Sequence, residues 1–202
     1  MAVNFLSKRW LGMCFLATWL IMSAPSLRAQ SVPELPTGDG SGDTPDMFIK
    51  LIPGSAGPVA KRDESLRLSS LRGKVVLLDM FSSQCPHCID HAPHVAEMYN
   101  QYRQRGFAVL GLATDNQDRA ADVKAFMALT KVTYPVGFLT AEVIAYFMDN
   151  RNHGVPQMVL FGPDGKMVKR LIGWTEKNGQ ELRATVEAQL ARMPAAKTAR
   201  PR

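Results

Sequence analysis

The sequence predicts an α/β domain with a mixed central sheet and helices on both faces. Strand segments that are almost continuously apolar alternate with segments of helical periodicity, a pattern typical of parallel strands joined by crossover helices. A strand–turn–strand segment and a final amphipathic helix follow, and a hairpin adds antiparallel strands to such a sheet. The chain has 202 residues, 46% of them hydrophobic, which suffices for one domain of this kind.

The predicted elements follow from apolar spacing and turn signals. A short strand is expected over 47–51, and a buried strand over 74–81, where β-branched and other apolar residues run almost without interruption. Helical spacing over 86–105 ends at Gly106, a residue type that favours helix ends. The other elements are a strand over 107–113, a helix over 118–129, an extended segment over 133–138, a short helix over 141–148, a hairpin of 157–161 and 167–172 around the turn 162–165, and a last helix over 176–193.

The first thirty residues resemble an export signal. Lys8 and Arg9 precede a 13-residue apolar run at 10–22, and small residues end at Ala29, where cleavage is expected. The run is shorter than the roughly 20 apolar residues that a membrane span needs. Residues 1–29 are therefore predicted to be a signal peptide, with an uncleaved membrane anchor as the alternative. The protein is expected in the periplasm or in another extracytoplasmic compartment.

Composition divides the rest of the chain into three parts. Residues 30–45 are rich in Pro, Gly, Ser and Asp and are predicted to be a flexible linker. Residues 46–193 have the size of a single domain, and residues 194–202 are predicted to be a disordered tail. One of the three cysteines, Cys14, lies in the export signal, so the exported chain has two cysteines in a compartment where disulfides persist.

The formal charge of +6 does not indicate a nucleic-acid-binding protein, because six basic residues near the two ends account for it. Without them the formal charge of the chain is close to zero, which gives no general attraction for phosphate. These residues are Lys8, Arg9, Arg28, Lys197, Arg200 and Arg202.

The chemistry is predicted to lie in the segment Cys85-Pro86-His87-Cys88, where a buried strand gives way to a helix. Residues three apart share a helix face, so the two sulfurs can join. The free N–H groups and the positive dipole of a helix N terminus favour a thiolate at Cys85. Pro86 suits the first helical position, and His87 adds positive charge when it is protonated. Cys88, one turn deeper, suits a resolving role.

A structural disulfide and half of a zinc site are the alternative interpretations of these two cysteines. Zinc normally takes a second pair of ligands, and the sequence has no second Cys-x-x-Cys. A redox-active pair is therefore the interpretation that the motif favours.

These motifs and their order resemble the exported TlpA/ResA-like thiol-disulfide oxidoreductases, which have a thioredoxin fold. The resemblance covers about 46–193 and implies disulfide exchange with protein substrates, no cofactor and no bound metal. It also implies two kinds of partner, namely proteins with thiols or disulfides and a redox partner protein, soluble or membrane-bound. The segments that carry it are 71–81, 85–88, Pro93, 107–115, 134–136, 154–157, 159–161 and 163–165.

The resemblance also implies roles for individual residues. Cys85 is the attacking cysteine and Cys88 the resolving one, and together they form the redox disulfide. Pro156 matches the cis-proline of the family, so the backbone of Val155 would pair with an extended partner segment. Asp79 matches the buried acid behind the cysteine pair. Because a lone carboxylate is costly to bury as an ion, Asp79 is expected to handle the proton of Cys88.

The sequence departs from the family pattern at three places. Gln84 replaces the tryptophan that usually precedes the first cysteine, and His91 replaces a glutamate that is common three residues after the second. The Pro-His dipeptide between the cysteines resembles oxidising DsbA-type enzymes, but the large helical insertion of that type is absent before Pro156. The physiological direction, oxidation or reduction of substrates, therefore stays open.

Other functions also stay open. His87, His91 and His94 are spaced four and three apart near two thiols, which is compatible with a copper- or zinc-binding site in a metal-delivery module. We expect instead that His87 tunes the thiol and that His91 and His94 lie half-exposed. A thiol-based module of cytochrome c maturation is a further alternative. The serine three residues before the first cysteine gives a partial match to peroxiredoxins, without their upstream proline.

Overall fold

The computed structural model describes residues 33–36, 45–55, 65–149 and 151–193. The predicted signal segment, most of the predicted linker and the predicted tail lie outside the described residues. All described residues belong to one compact unit. None of the helices within the described part of the chain is long and apolar enough to cross a membrane.

The described residues form seven strands and four α-helices, nearly all of them at positions close to those predicted from the sequence. The strands are β1 (Phe48–Lys50), β2 (Ser65–Arg67), β3 (Val75–Phe81), β4 (Phe107–Ala113), β5 (Val136–Phe138), β6 (Gln157–Phe161) and β7 (Met167–Ile172). The helices are α1 (Pro86–Tyr102), α2 (Ala120–Thr130), α3 (Ala141–Phe147) and α4 (Glu176–Ala191).

The central sheet has the strand order β5-β4-β3-β6-β7 and is mixed, as the sequence predicts. Strand β3 runs parallel to β4, and β4 parallel to β5, whereas β6 is antiparallel to both β3 and β7. Because β6 is antiparallel to β3, β6 begins at the end of the sheet at which β3 and β4 terminate. The loops after β3 and β4 and the loop before β6 therefore converge at this end of the sheet.

The small antiparallel sheet of β1 and β2 was only half predicted. The sequence analysis placed a strand at β1 but none at β2. Strand β2 has three residues, of which only Leu66 is buried, so it offers too short an alternation to stand out.

All seven residues of β3 are buried, and their alternation divides the core. Val75, Leu77 and Phe81 belong to the cluster that packs against α1, α2 and α4. Val76, Leu78 and Met80 belong to the cluster on the opposite face, which packs against α3 and β1. Asp79 lies on the same face of β3 as Leu77 and Phe81, so its carboxylate lies on the α1 side of the sheet.

The flexible linker predicted over 30–45 is wrong for residues 33–36. Leu35 is fully buried in the core cluster next to α3, and its N–H donates to the Gly165 carbonyl at 2.8 Å. The guanidinium of Arg72 donates to the Pro36 carbonyl at 3.0 Å. A single leucine among prolines gives no periodic signal, yet it suffices to fix this segment on the domain.

We expect the Leu35→Ala substitution to lower the free energy of unfolding by about 2–4 kcal/mol, because it leaves a cavity in the core. Urea unfolding of the two proteins measures this difference. Leu129→Ala is the matched control, since Leu129 is 68% exposed, and we expect it to change the stability by less than about 0.5 kcal/mol. An equally small effect at both sites would show that the 33–36 segment does not stabilise the domain.

Candidate active site

The two cysteines lie at the N terminus of α1, one half-exposed and one buried. Cys85 is the N-cap residue in an extended conformation, and Pro86 occupies the first turn. The carbonyl of Cys85 accepts the first helical hydrogen bonds, from the N–H groups of Cys88 at 3.0 Å and Ile89 at 3.1 Å. Cys88 is fully buried, and both cysteines are free thiols. The solvent can therefore reach one sulfur of the pair much more readily than the other.

The loop between β3 and α1 is fixed by a carboxylate that the sequence analysis did not assign. Asp115 accepts from the Ser83 N–H at 2.9 Å and from the Ser83 hydroxyl at 2.5 Å. Arg119 donates to the side chain of Gln84 at 3.0 Å. Asp115 comes shortly after β4, and β4 ends beside the end of β3. The position of this acidic residue in the sequence could therefore have indicated the contact. These bonds hold the residues that lead into Cys85.

The start of β6 brings Val155 next to Cys85, although 70 residues separate them. The thiol of Cys85 donates to the Val155 carbonyl, with 3.5 Å between sulfur and oxygen. The Val155–Pro156 peptide bond is cis, which confirms that prediction. The Pro156 carbonyl accepts from the Gly173 N–H at 2.8 Å, so the connection between β7 and α4 borders the site as well.

Gln157 is a buried residue that holds the loop before Val155, and the sequence analysis gave it no role. It is fully buried, and its side-chain amide donates to the carbonyls of Asn152 and of Gly154, the latter at 3.0 Å. Its side-chain oxygen accepts from the Asp149 N–H at 3.1 Å. A glutamine at the start of an apolar strand was the only signal for this anchor.

Asp79 is fully buried, as predicted, and both of its carboxylate oxygens accept hydrogen bonds. The ring nitrogen Nε2 of His91 lies 2.8 Å from Oδ1, and the hydroxyl of Tyr134 donates to Oδ2 at 3.0 Å. All three side chains are inaccessible to solvent. The sequence-based expectation that His91 lies half-exposed is therefore wrong, because the ring turns inward to pair with a buried carboxylate.

The surroundings shift the pKa values of the buried groups in consistent directions. Burial raises the pKa of the Cys88 thiol far above its ordinary value, and its hydrogen bond to Cys85 and the charges of Cys85 and Asp79 add to this. Burial opposes a charged His91 ring, but the charge and hydrogen bond of Asp79 outweigh it and raise the pKa of His91 above 6.5. Burial, followed by the Asp79 charge, raises the pKa of Tyr134 well above 10, so Tyr134 stays a donor.

The histidines of α1 do not converge on one point. His87 and His94 are exposed, whereas His91 is buried and bonded to Asp79. No group of three or more His, Cys, Asp or Glu side chains that could hold a metal ion occurs among the described residues. Pro93 lies inside α1, which continues past it. The metal-delivery alternative thus gains no support from the arrangement of the described side chains.

The raised pKa of His91 predicts a pH-dependent stability. A group whose pKa is higher in the folded state stabilises fully below its unfolded pKa and loses this effect as the pH rises through the folded pKa. We expect the free energy of unfolding of the wild type, relative to His91→Gln, to be largest near about pH 6 and to shrink towards about pH 9. Urea unfolding of the reduced proteins measures it. His94→Gln is the control, and a difference for His91→Gln that does not vary with pH would contradict the prediction.

Comparison with known proteins places this site in a family. A sequence profile of the AhpC/TSA family matches residues 50–187. The thiol-disulfide oxidoreductase ResA of Bacillus thuringiensis is 29% identical over 121 residues, which are 58% of this chain and 66% of that protein, just under two thirds of its length. Protein DipZ of Mycobacterium bovis is 42% identical over 52 residues, 26% of this chain and 8% of that protein.

A solved structure shows the same fold over most of the chain. The crystal structure of a thiol:disulfide interchange protein of the thioredoxin family from Chlorobium tepidum aligns with a TM-score of 0.61 at 21% identity, over 80% of this chain and 99% of that one. The fold is therefore that of thioredoxin. Because the family profile spans more than half of the chain and all five strands of the central sheet, the chain belongs to the AhpC/TSA family.

Proposed function

We propose that the chain is a thiol-disulfide oxidoreductase that exchanges disulfides with protein substrates through Cys85 and Cys88. The arrangement of the two sulfurs carries this proposal. Cys85 is half-exposed at a helix N terminus beside the Val155 carbonyl, and Cys88 is buried one turn behind it. An exchange by attack and resolution needs one reachable sulfur and one shielded sulfur on the same side of a helix. The similarity to ResA supports the same reaction.

In the reducing direction, the Cys85 thiolate attacks one sulfur of a substrate disulfide. A bond forms between Cys85 and the substrate, the substrate S–S bond breaks, and the departing sulfur takes up a proton. Cys88 then loses its proton and attacks the Cys85 sulfur, which forms the Cys85–Cys88 disulfide and releases the second substrate thiol. Two electrons pass to the substrate. The same steps in reverse oxidise a substrate dithiol, and a redox partner protein restores the starting form.

The surroundings of the two sulfurs suit these two roles. Cys85 lies at the positive end of the α1 dipole, which favours negative charge on its sulfur, and the exposed His87 adds positive charge when it is protonated. Cys88 is a thiol held neutral by burial, so it can resolve only after it gives up its proton. The charge of Asp79 raises the pKa of the Cys88 thiol from within the core, so the buried groups around Asp79 are where we expect the Cys88 proton to be handled.

The backbone around Val155 is the proposed docking site for the substrate. An extended substrate segment laid beside Val155 would pair with it as a short antiparallel strand and bring its disulfide to Cys85. This kind of pairing uses backbone groups and demands little of the substrate sequence. The apolar run at 10–22 and the basic residues before it support an extracytoplasmic location for the reaction.

Cys88→Ser should trap the proposed intermediate. Incubated with an oxidised protein substrate, this variant should accumulate a mixed disulfide at Cys85, because no second thiol resolves it. Non-reducing electrophoresis with and without reductant detects the adduct. Cys85→Ser is the matched control and should form at least about tenfold less adduct, since Cys88 is buried. Equal adduct in the two variants, or none in either, would refute the proposed roles.

Gln157→Leu should weaken docking more than chemistry. The substitution removes the donor to the carbonyls of Asn152 and Gly154, at a cost of about 0.5–1.5 kcal/mol for each bond, and loosens the loop before Val155. We expect exchange with a protein disulfide to slow by about fivefold or more, and exchange with a small aromatic disulfide to change by less than about twofold.

The measurement for Gln157→Leu is the ratio of these two rates in the variant and in the wild type. Gln180→Leu, at an exposed glutamine of α4, is the control. If both rates fall by the same factor, Gln157 supports the cysteine chemistry or the overall stability and the docking role is wrong.

A further inference from the structure

One ring nitrogen of the buried His91 has a strong partner and the other has none. Nε2 lies 2.8 Å from Oδ1 of Asp79. Nδ1 is buried and finds no hydrogen-bond partner among the described residues. A buried polar atom without a partner destabilises the folded state, so it calls for a functional explanation.

The hydrogen bond to Asp79 fixes the form of the ring. Asp79, whose other oxygen already accepts from Tyr134, accepts a hydrogen bond from the N–H at Nε2 of His91, so Nε2 carries hydrogen and Nδ1 is the basic atom of the neutral ring. The carbonyls of His87 and Cys88, on the preceding turn, favour the charged ring. The surroundings of His91 therefore suit a ring that takes up a proton at Nδ1.

The groups that face His91 come from three elements. Strand β3 contributes Asp79, which is also bonded to Tyr134 from the segment before β5. Helix α1 contributes the backbone carbonyls of His87 and Cys88 on the preceding turn. The connection between β7 and α4 contributes Trp174, an uncharged ring whose centre lies 5.7 Å from that of His91. The next histidine of α1, His94, stacks on Trp174 at 5.4 Å but is exposed to solvent.

His91 and Cys88 are neighbours on the buried face of α1. They are three residues apart, the spacing at which side chains on a helix meet, and both are fully inaccessible to solvent. The basic nitrogen of a buried histidine thus lies one helical turn from a thiol that burial keeps protonated. Asp79 orients this histidine in the way that a carboxylate orients the histidine of a catalytic triad.

We propose that His91 holds the proton that Cys88 gives up when it resolves the mixed disulfide, with Asp79 as the residue that orients the ring. This inference rests on the proposed function. In the step, the Cys88 proton passes to Nδ1 of His91, and the Cys88 thiolate attacks the Cys85 sulfur. The Cys85–Cys88 bond forms, the bond from Cys85 to the substrate sulfur breaks, and the substrate thiolate leaves. The proton then passes from His91 to the solvent or to the departing thiolate, which balances the step.

The proposal fixes the shape of the pH profile for the resolving step. Where His91 is already protonated, the Cys88 proton must go to the solvent, and the rate rises about tenfold per pH unit. Where His91 is neutral, the proton moves within the protein, and the rate no longer depends on pH. The profile of the wild type should therefore bend to a plateau at a pH above 6.5, the ordinary pKa of histidine.

The test is a stopped-flow reaction of the reduced full chain with an aromatic disulfide that releases a coloured thiolate. The first, bimolecular phase reports attack by Cys85, and the second, concentration-independent phase reports resolution by Cys88. In His91→Gln, the amide can still donate to Asp79 but cannot take up a second proton. We expect the rate of the second phase in this variant to rise up to about pH 9 without a bend, and to be about tenfold lower than in the wild type near about pH 7.5.

His94→Gln is the matched control and should keep the bend of the wild type. If the bend persists unchanged in His91→Gln, Asp79 alone serves as the acceptor and the proposal is overturned. The first phase separates this failure from failure of the proposed function. If the proposed function is wrong, the wild type itself releases no second thiolate, whereas an error in the role of His91 leaves both phases intact in all variants.

A second measurement uses only the wild type and so does not depend on how well the variant folds. Nitrogen-15 spectra of the His91 ring in the reduced protein, recorded from about pH 6 to about pH 9, report which nitrogen carries a proton. We expect Nε2 to stay protonated and Nδ1 to lose its proton at the pH of the kinetic bend. A ring that keeps one protonation state over this range would overturn the proposal.

Discussion

The carboxylate of Asp79 in the middle of the central strand is the constraint on which the site depends. A charge at this depth costs several kcal/mol unless it is paired and hydrogen-bonded. Two hydrogen-bond donors offset the desolvation of this carboxylate, His91 from α1 and Tyr134 from the segment before β5. Gly111 on the neighbouring strand makes room, because a Cβ there would lie 3.1 Å from the Tyr134 ring. One carboxylate thus fixes a helix, a strand and a loop relative to each other.

The sheet order turns this buried centre into an active site. Strands β3 and β4 terminate at the end of the sheet at which β6 begins. Residues that are far apart along the chain therefore meet there. The loop after β3 presents Cys85, the segment after β4 supplies Asp115, and the segment before β6 supplies Val155. Hydrogen bonds hold each of these loops in place. They fix the half-exposed sulfur of Cys85 next to the buried sulfur of Cys88.

A histidine at position 91 gives the core a different electrostatic character from a glutamate there. Two carboxyl groups in one buried site compete, because both cannot be ionised without strong repulsion. A histidine and a carboxylate instead stabilise each other in their charged forms, and the pair has no net charge when the ring is protonated. The pair can therefore gain or lose a proton at the His91 ring, and this ring lies one helical turn from Cys88.

The sequence by itself determined the order of all the strands and α-helices except β2, the buried central strands, and the placement of Cys85 and Cys88 at a helix N terminus. These features depend on apolar periodicity and on residues within one or two turns of each other. Position 91 lies on the buried face of α1 together with Cys88, Ala92 and Val95, where the sequence analysis expected a half-exposed histidine. Only the fold supplies the carboxylate, 12 positions away on β3, that makes its burial favourable.

The tertiary structure also decided the contact of Cys85 with Val155, the anchoring of the 149–154 loop by Gln157 and the packing of Leu35 into the core. Leu35 stands alone among prolines, and Gln157 is one polar residue at the start of an apolar strand, so neither forms a pattern that the sequence can reveal. Cys85 and Val155 meet because β6 runs antiparallel to β3. Contacts of this kind join residues that are neighbours only through the order and direction of strands in the sheet, which local spacing does not encode.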